Sequence, residues 1–282
     1  MRTLPSLLLL VACGPKPTAG ATGDTGPSAG QVAFDVLGFN IESGDSDPGV
    51  VAAEIVSVIQ GESLVGFVEV EDEATAELLV AAVADAGSAQ DFRFVFGTTG
   101  SVSDDHMVLA WDDAVFALES SDELDHINIP SGTVRAPLVG HMRHRASDTP
   151  FLFVVNHLWR TDDAARHEQA RLLHDWGADQ VEPVVMVGDY NLDWEIESGD
   201  HDVGYDELTA DGVFTWVRPE TLIKTQCSGF YDSVLDFVFV GGPAQAWTAS
   251  SEILRPSAEY CSQRYDATFS DHRPVRASFT IP

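Results

Sequence analysis

Val184-Val-Met-Val-Gly-Asp-Tyr-Asn-Leu-Asp193 decides how this chain is read. Apolar residues run into a glycine, then an acid, an amide and a second acid follow in quick succession. A short continuous apolar segment bounded by turn residues is a strand covered on both faces, so this one ends in a polar rim. The same pattern recurs on either side. Residues 151–156 are apolar and close on Asn156 and His157, residues 32–40 alternate and close on Phe39 and Asn40, and Asp271 and His272 precede a last strand over 274–279. In 64–70, LVGFVEV, Glu69 sits near the strand end. A carboxylate there is costly to bury unpaired, whereas a divalent cation neutralises it and gains a hard oxygen ligand. Glu69 is therefore the first candidate metal ligand. Asp236 interrupts VLDFVFV in an otherwise core-like strand, so it needs a buried donor, and a histidine ring is an apt one.

Between these strands the periodicity changes. Asp47 followed by Pro48 predicts a helix start, with the acid capping and the proline tolerated in the first turn. Val51, Ala52, Ile55, Val56 and Ile59 then share one face. A second helix runs from about Glu71 to Gly87, and a third from a Thr161 cap through Ala165, Gln169, Leu172, Leu173 and Trp176 to Gly177. Further strands are expected over 92–96, 107–111, 134–141, 234–240 and 244–248. Two βα-containing halves of similar size predict two sheets packed face to face with helices outside, rather than one doubly wound sheet.

The N-terminus reads differently. Arg2, the apolar stretch 7–11 and then Ala12-Cys13 form a short secretion signal, and Leu10-Val-Ala-Cys13 resembles the lipobox of bacterial lipoproteins. On that reading residues 1–12 are removed, Cys13 is lipidated, 13–30 are a flexible Gly/Pro/Thr/Ala tether, and 31–282 form one domain. The alternative is an ordinary signal with an incidental cysteine. The expected location is a bacterial cell envelope, facing periplasm or surface, with the lipid as the membrane link. No apolar run reaches the 18 or more residues of a spanning helix. Cys227 and Cys261 remain, an even number in an exported chain, which favours a disulfide over two free thiols. Neither belongs to a CxxC pair, so a zinc site is not supported.

Composition narrows the partners. With 15 Lys+Arg against 45 Asp+Glu the formal charge is −30, a field that repels nucleic acid and anionic lipid and attracts divalent cations. The same excess is also what a solvated surface uses to stay soluble. Several motifs fail. HEQAR at 167–171 has Arg171 where a zinc protease needs its second histidine, and no GxSxG, GxxxxGK[ST] or GxGxxG occurs. Asp189, Asn191, Asp193 and Asp200 mimic an EF-hand, but Trp194 replaces the glycine that its turn requires.

Six landmarks in order, FN at 39–40, VEV around Glu69, NHL at 156–158, GDYNLD at 188–193, LDFVFV around Asp236 and SDHRPV at 270–275, resemble the endonuclease/exonuclease/phosphatase superfamily. The resemblance covers most of 31–282. It implies an α/β four-layered sandwich of the DNase I-like kind, with two mixed or antiparallel sheets face to face and flanking helices. It also implies that Glu69, with Asn40 and Asp271 close by, binds a catalytic Mg²⁺, or Mn²⁺ or Ca²⁺ in its place. Asp236 would pair with His272. Asp189 would orient or deprotonate the attacking water, Asn191 would contact the phosphate, and His157 would stabilise the pentacovalent oxygens or protonate the leaving group. Arg135 and His106 are weaker candidates for the substrate phosphate. The implied activity is hydrolysis of phosphodiesters, in nucleic acid approached through the metal or in small and lipid-derived esters, by a monomer. The rival reading is a catalytically silent envelope binding module on the same scaffold.

Other residues have plainer expectations. His141 and His144 flank HMRHR, which can grip a phosphate but reads first as an exposed strand end. His126, His174 and His201 are expected at the surface, and Trp111, Trp159, Trp176 and Trp216 in core or rim packing.

Overall fold

The structure is a computed structural model that describes residues 31–42, 46–87, 91–100, 105–129, 134–228, 232–255, 261 and 269–282. The expected signal, the lipidation site Cys13 and the tether lie outside the described residues. The chain runs β1 (Val32–Asn40), α1 (Pro48–Val58), β2 (Leu64–Val70), α2 (Glu73–Ala86), β3 (Phe92–Phe96), β4 (His106–Asp112), β5 (Phe116–Glu123) and β6 (Leu138–His144). It continues through β7 (Thr149–His157), α3 (Asp163–Ala178), β8 (Val184–Glu195), α4 (Val203–Thr209), β9 (Phe214–Trp216), β10 (Ser233–Gly241), β11 (Thr248–Ile253) and β12 (Val275–Ile281).

The strands form two six-stranded sheets, ordered β11-β12-β1-β2-β4-β3 and β5-β6-β7-β8-β10-β9. Each sheet has one parallel pair, β1 with β2 and β7 with β8, joined by the crossover helices α1 and α3. The other pairs are antiparallel. One apolar cluster packs α1 and α2 on the outer face of the first sheet through residues such as Leu37, Phe39, Val51, Ile55 and Leu79. A larger cluster fills the space between the sheets and continues to Ala170 and Leu173 of α3. The expected four-layered architecture is present. The sheets approach so closely that a Cβ on Gly66 would sit 2.6 Å from Cγ2 of Val187 and 2.8 Å from Cγ2 of Val155.

Local chemistry explains where elements begin. The Asp47 carboxylate accepts from the backbone N–H groups of Gly49 and Val50, with Pro48 at the helix start, as expected. Asp72 caps α2 through Thr75 N–H. The cap of α3 differs from the expectation: Asp162 accepts from Ala165 N–H at 3.1 Å, while the Thr161 hydroxyl accepts from Trp159 Nε1 at 2.8 Å. The strand expected over 134–141 starts only at Leu138, after Pro137, which has no N–H to give to a ladder. The strand expected over 244–248 is instead a 3₁₀ turn, Gly242–Ala246, with Pro243 at its start and β11 after it. The basic HMRHR segment does not form a phosphate grip. His144 is buried against Phe34 and Phe116, His141 pairs with Asp122 at 3.2 Å, and Arg143 donates to Glu119 and Asp148. His201 is half-buried, stacked on Trp194 with ring centroids 4.6 Å apart, whereas His126 is exposed. Cys227 and Cys261 form the expected disulfide.

Asp202 ties the two outer helices of the second half together. It caps α4 through Gly204 N–H at 2.7 Å and receives the buried guanidinium of Arg166, on α3, at 2.7 Å. Burial would raise its carboxyl, but Arg166 and the Gly204 N–H hold it below the ordinary aspartate value. A depressed folded value means that this stabilisation is complete above the unfolded carboxyl's pKa and is lost as pH falls through the folded one. Asp202→Ala is expected to cost about 2 kcal/mol in urea unfolding at pH 7, combining a lost cap with a weakened partly buried pair. The difference from wild type should shrink below the ordinary aspartate pKa; a difference independent of pH would contradict this account.

Candidate active site

All the polar strand ends fall at the same end of both sheets. Asn40 closes β1, Glu69 lies in β2, His157 closes β7, Asp189 and Asn191 lie in β8, Asp236 lies in β10, and Asp271 and His272 lead into β12. Two departures from regular backbone aim them. At Glu69 the register of β2 against β4 shifts between Phe67 and Val70, and Glu69 takes a positive φ of 60°. A bulge of this kind turns a side chain out of the normal alternation, and a non-glycine residue at such φ is strained. In β8, Asn191 has φ 50° and Asp193 φ 49°, opposite a second register shift between Val234 and Asp236 of β10.

The side chains meet around Asp189, which is 2% exposed. Its Oδ2 accepts from Asn40 Nδ2 at 3.1 Å and faces Nε2 of His157 at 3.6 Å and Nε2 of His272 at 3.7 Å. Its Oδ1 accepts from Asn191 N–H at 2.9 Å. Asn40 Nδ2 also donates to Glu69 Oε1 at 2.9 Å, and Asn40 Oδ1 accepts from Glu42 N–H at 3.0 Å. Asn40 is thus in the site, with its amide N–H groups towards the carboxylates and its oxygen engaged by backbone. Nδ1 of His272 meets Asp236 Oδ2 at 2.8 Å, and its Nε2 is 3.5 Å from Asp271 Oδ1. Asn191 Nδ2 donates to Leu158 O at 3.1 Å.

Burial opposes a charged His272 ring, but Asp236, then Asp189 and Asp271, outweigh it and push its pKa well up. Burial raises the Asp271 carboxyl; the His272 charge opposes this, and Glu69 and Asp189 add to it. The cleft therefore concentrates more negative charge than its own donors balance. Glu69 and Asp271, both lining it, offer the hard carboxylate oxygens that suit a small divalent cation. Two groups of residues place ligand atoms within 4.8 Å of one another, Glu69 with Asp105 and His157, and Asp189 with Asp236 and His272.

The two weaker phosphate candidates lie elsewhere. Arg135 is buried, with a terminal guanidinium nitrogen 2.5 Å from Asp105 Oδ2, and Asp105 Oδ1 in turn faces Nδ1 of His157 at 3.8 Å. Burial would raise the Asp105 carboxyl, yet Arg135 and the neighbouring His157 and His106 hold it down. Arg135 therefore reaches the site through Asp105 and His157. The His106 ring faces the carbonyl oxygens of Gly97 and Thr99 at 3.0 and 3.1 Å and closes a turn. Neither Arg135 nor His106 lines the cleft.

The structure adds four residues that sequence reading passed over. Asp105 precedes β4 as Asp271 precedes β12, so the rule that found the other strand-end acids could have found it. Glu42 receives Asp271 N–H at 3.0 Å and lines the cleft. Gln226 donates to the Asp271 carboxylate from beside Cys227, a placement with no signal in the sequence. Arg160, two residues beyond the NHL motif, lines the cleft as well.

No protein-family model matches the sequence, and no curated protein matches it. Solved structures do match in fold. An endonuclease/exonuclease/phosphatase family protein from Bacteroides thetaiotaomicron superposes with a TM-score of 0.66 at 17% identity, covering 89% of this chain and 99% of that one. The mannosyl-6-phosphatase of the same organism gives 0.62 at 18% identity, covering 87% and 99%. D. rerio TDP2 complexed with single strand DNA product gives 0.62 at 14% identity, covering 88% and 98%. At these identities the likeness is one of architecture, and it agrees with the sheets and layers described above. The chain has the two-sheet, four-layered fold of the endonuclease/exonuclease/phosphatase proteins.

Proposed function

We propose that this chain is an exported, membrane-tethered, divalent-metal-dependent hydrolase of phosphoric esters, with phosphodiesters as the leading substrate class. The observation that carries the reading is the convergence of Glu69, Asp189, Asp271 and His272, from segments far apart in sequence, on one cleft, with Nε2 of His157 3.6 Å from both Glu69 Oε1 and Asp189 Oδ2. The fold by itself leaves the substrate open, since its neighbours include a mannosyl-6-phosphatase and an enzyme bound to a DNA product. Export and lipidation rest on the Arg2 to Cys13 signal, and the Cys227–Cys261 disulfide is consistent with an oxidising compartment.

Glu69 and Asp271 would hold the cation, Mg²⁺ first, with Asn40 fixing the Glu69 carboxylate through its amide. Bound there, the ion would polarise a phosphoryl oxygen and offset the charge that develops on it. Asp189 is pinned by Asn40 and by Asn191 N–H, so its carboxylate is aimed to orient a water and accept its proton. His272, kept protonated by Asp236, presents Nε2–H to the cleft as a donor to the developing negative charge. His157, backed by Asp105 and Arg135, presents Nε2 beside Asp189 and can stabilise the phosphoryl oxygens or hand a proton to the leaving group. Asn191 has one amide hydrogen committed to Leu158 O and a second for the phosphate. The buried Asp236–His272 pair has no clear purpose in a silent binding module, and this favours the enzyme.

Two outcomes are expected. Mg²⁺ should raise the thermal midpoint of the wild type, by an amount corresponding to about 2.7 kcal/mol at a hundredfold excess over its dissociation constant. Glu69→Gln should weaken Mg²⁺ activation by no less than the ~10- to 100-fold that outer-shell partners of a metal cost. Bis-aryl phosphate hydrolysis that is unchanged by chelator would overturn the metal assignment, and absence of turnover restored by any divalent ion would favour the binding module.

His272→Ala should lower kcat/KM by ~10²- to 10⁴-fold. Asp236→Asn removes the charge that sustains the His272 proton, so the folded pKa falls. Because the protonated ring is the active form, activity is lost as pH rises through that pKa, and the alkaline limb should move to lower pH. A pH–rate profile of Asp236→Asn whose alkaline limb stays where the wild type has it would rule out this role.

A further inference from the structure

We infer that Arg160 is the phosphate-binding cation of this cleft and that the substrate carries its charge at a single phosphate, as a small ester rather than a polynucleotide; this rests on the reading just proposed. Arg160 is exposed, and among the cleft-lining residues it is the sole guanidinium or ammonium, set against Glu42, Glu69, Asp189 and Asp271. Its backbone carbonyl accepts from Arg166, but its own side chain makes no hydrogen bond or ion pair among the described residues. Arg255 likewise makes no hydrogen bond or ion pair among the described residues, and Arg218 meets only the Trp194 and Trp216 rings, but neither lines this cleft. Nearby arginines are engaged: Arg135 by Asp105, and Arg166 by Asp163 and Asp202. Arg218 and Arg255 line a separate groove along β11.

A guanidinium left unpaired at the mouth of an acidic cleft matches the planar oxygens of a phosphate, to which it can donate two parallel hydrogen bonds. It also supplies the local attraction that the carboxylates around it would otherwise deny an anion. The same arrangement is unsuited to a strand of nucleic acid. Every phosphate along a strand carries its own charge, so those flanking the one in the cleft would need cations of their own. Among the described residues no row of free cations leads away from Arg160 to receive them.

The test uses the full-length protein with Mg²⁺, bis-p-nitrophenyl phosphate, a single-stranded oligonucleotide, and inorganic phosphate as a competitive inhibitor. For the aryl ester, Arg160→Ala should raise KM at least ten-fold with a smaller change in kcat, and weaken inhibition by phosphate by a similar factor. Arg160→Lys should recover part of both, since it restores charge without the planar fork. The slope of log kcat/KM against log salt should be no steeper than about −1 in the wild type and flatten in Arg160→Ala. The oligonucleotide should be the poorer substrate. A wild-type KM and phosphate inhibition in a folded Arg160→Ala, or an oligonucleotide preferred over the aryl ester with a slope steeper than about −3, would overturn the inference alone. If the wild type hydrolyses none of these esters with any divalent ion, the phosphoesterase reading falls and this inference falls with it.

Discussion

The buried carboxylate of Asp189 can exist where it does only because both sheets deliver donors to it. Asn40 comes from the first sheet and Asn191 N–H from the second, and the His157 ring of the second stands 3.6 Å off. An isolated buried carboxylate would neutralise or pull the local structure apart. Held by an amide and a backbone N–H, with two imidazoles 3.6 and 3.7 Å away, it becomes instead the fixed point around which the cleft is arranged. That requires the sheets to meet closely just behind it. Gly66 and Gly38 both lie where a side chain would run into Val187, two residues before Asp189, and a Cβ on Gly188 would lie 1.9 Å from Asn156 O. Gly66 and Gly38 are thus needed for contact between the layers, and Gly188, at φ +142°, for its conformation and for its approach to β7 within the sheet.

Strain is concentrated at the same end of the molecule. Glu69 and Asn191 hold positive φ values inside strands whose preceding residues are buried, and Asp193 follows with another. Each such residue costs on the order of 1–3 kcal/mol, and persists only where its surroundings over-determine it. Here the surroundings do: Glu69 is held by Asn40, and Asn191 by Asp189 and Leu158 O. The bulges let strands that are apolar on both faces turn a polar group into the cleft without exposing the core beside it.

This explains what the sequence could reveal. The buried strands β2, β7, β8 and β10 were legible because continuous β-branched runs have few other fates, and the polar residue that ended or broke each run stood out against them. The Asp236–His272 contact could be argued from the cost of a lone carboxylate in VLDFVFV. Edge elements were less visible. β5 carries Glu119, Ser120, Ser121, Asp122 and Glu123, a solvated edge whose polarity protects it from pairing with other chains and hides it from any hydrophobic pattern. The 3₁₀ turn at Gly242–Ala246 displaced the expected strand because Pro243 fixes φ and gives no N–H. Gln226 was out of reach because its place beside Asp271 depends on an isolated bridge to His272 and on the Cys227 backbone bond to Asp271 O, both long-range.

The charge of the chain bears on the chemistry in one further way. A carboxylate-rich cleft in a strongly acidic protein repels a phosphate ester unless cations intervene, and the described side chains provide only two within the cleft, the His272 imidazolium and Arg160. The first is itself sustained by Asp236, Asp189 and Asp271, so acids that would hinder an anion also sustain one of the cleft's positive charges. The second stays unpaired although acids surround it. A divalent ion held by Glu69 and Asp271 would complete the balance, and would offset both the burial that lifts the Asp271 carboxyl and the repulsion that adds to it. Ion binding and substrate binding are then coupled in sign: each positive charge that settles among these carboxylates makes the next negative group easier to admit. The acid excess is therefore compatible with phosphoester chemistry, provided that the cleft admits its charges in that order.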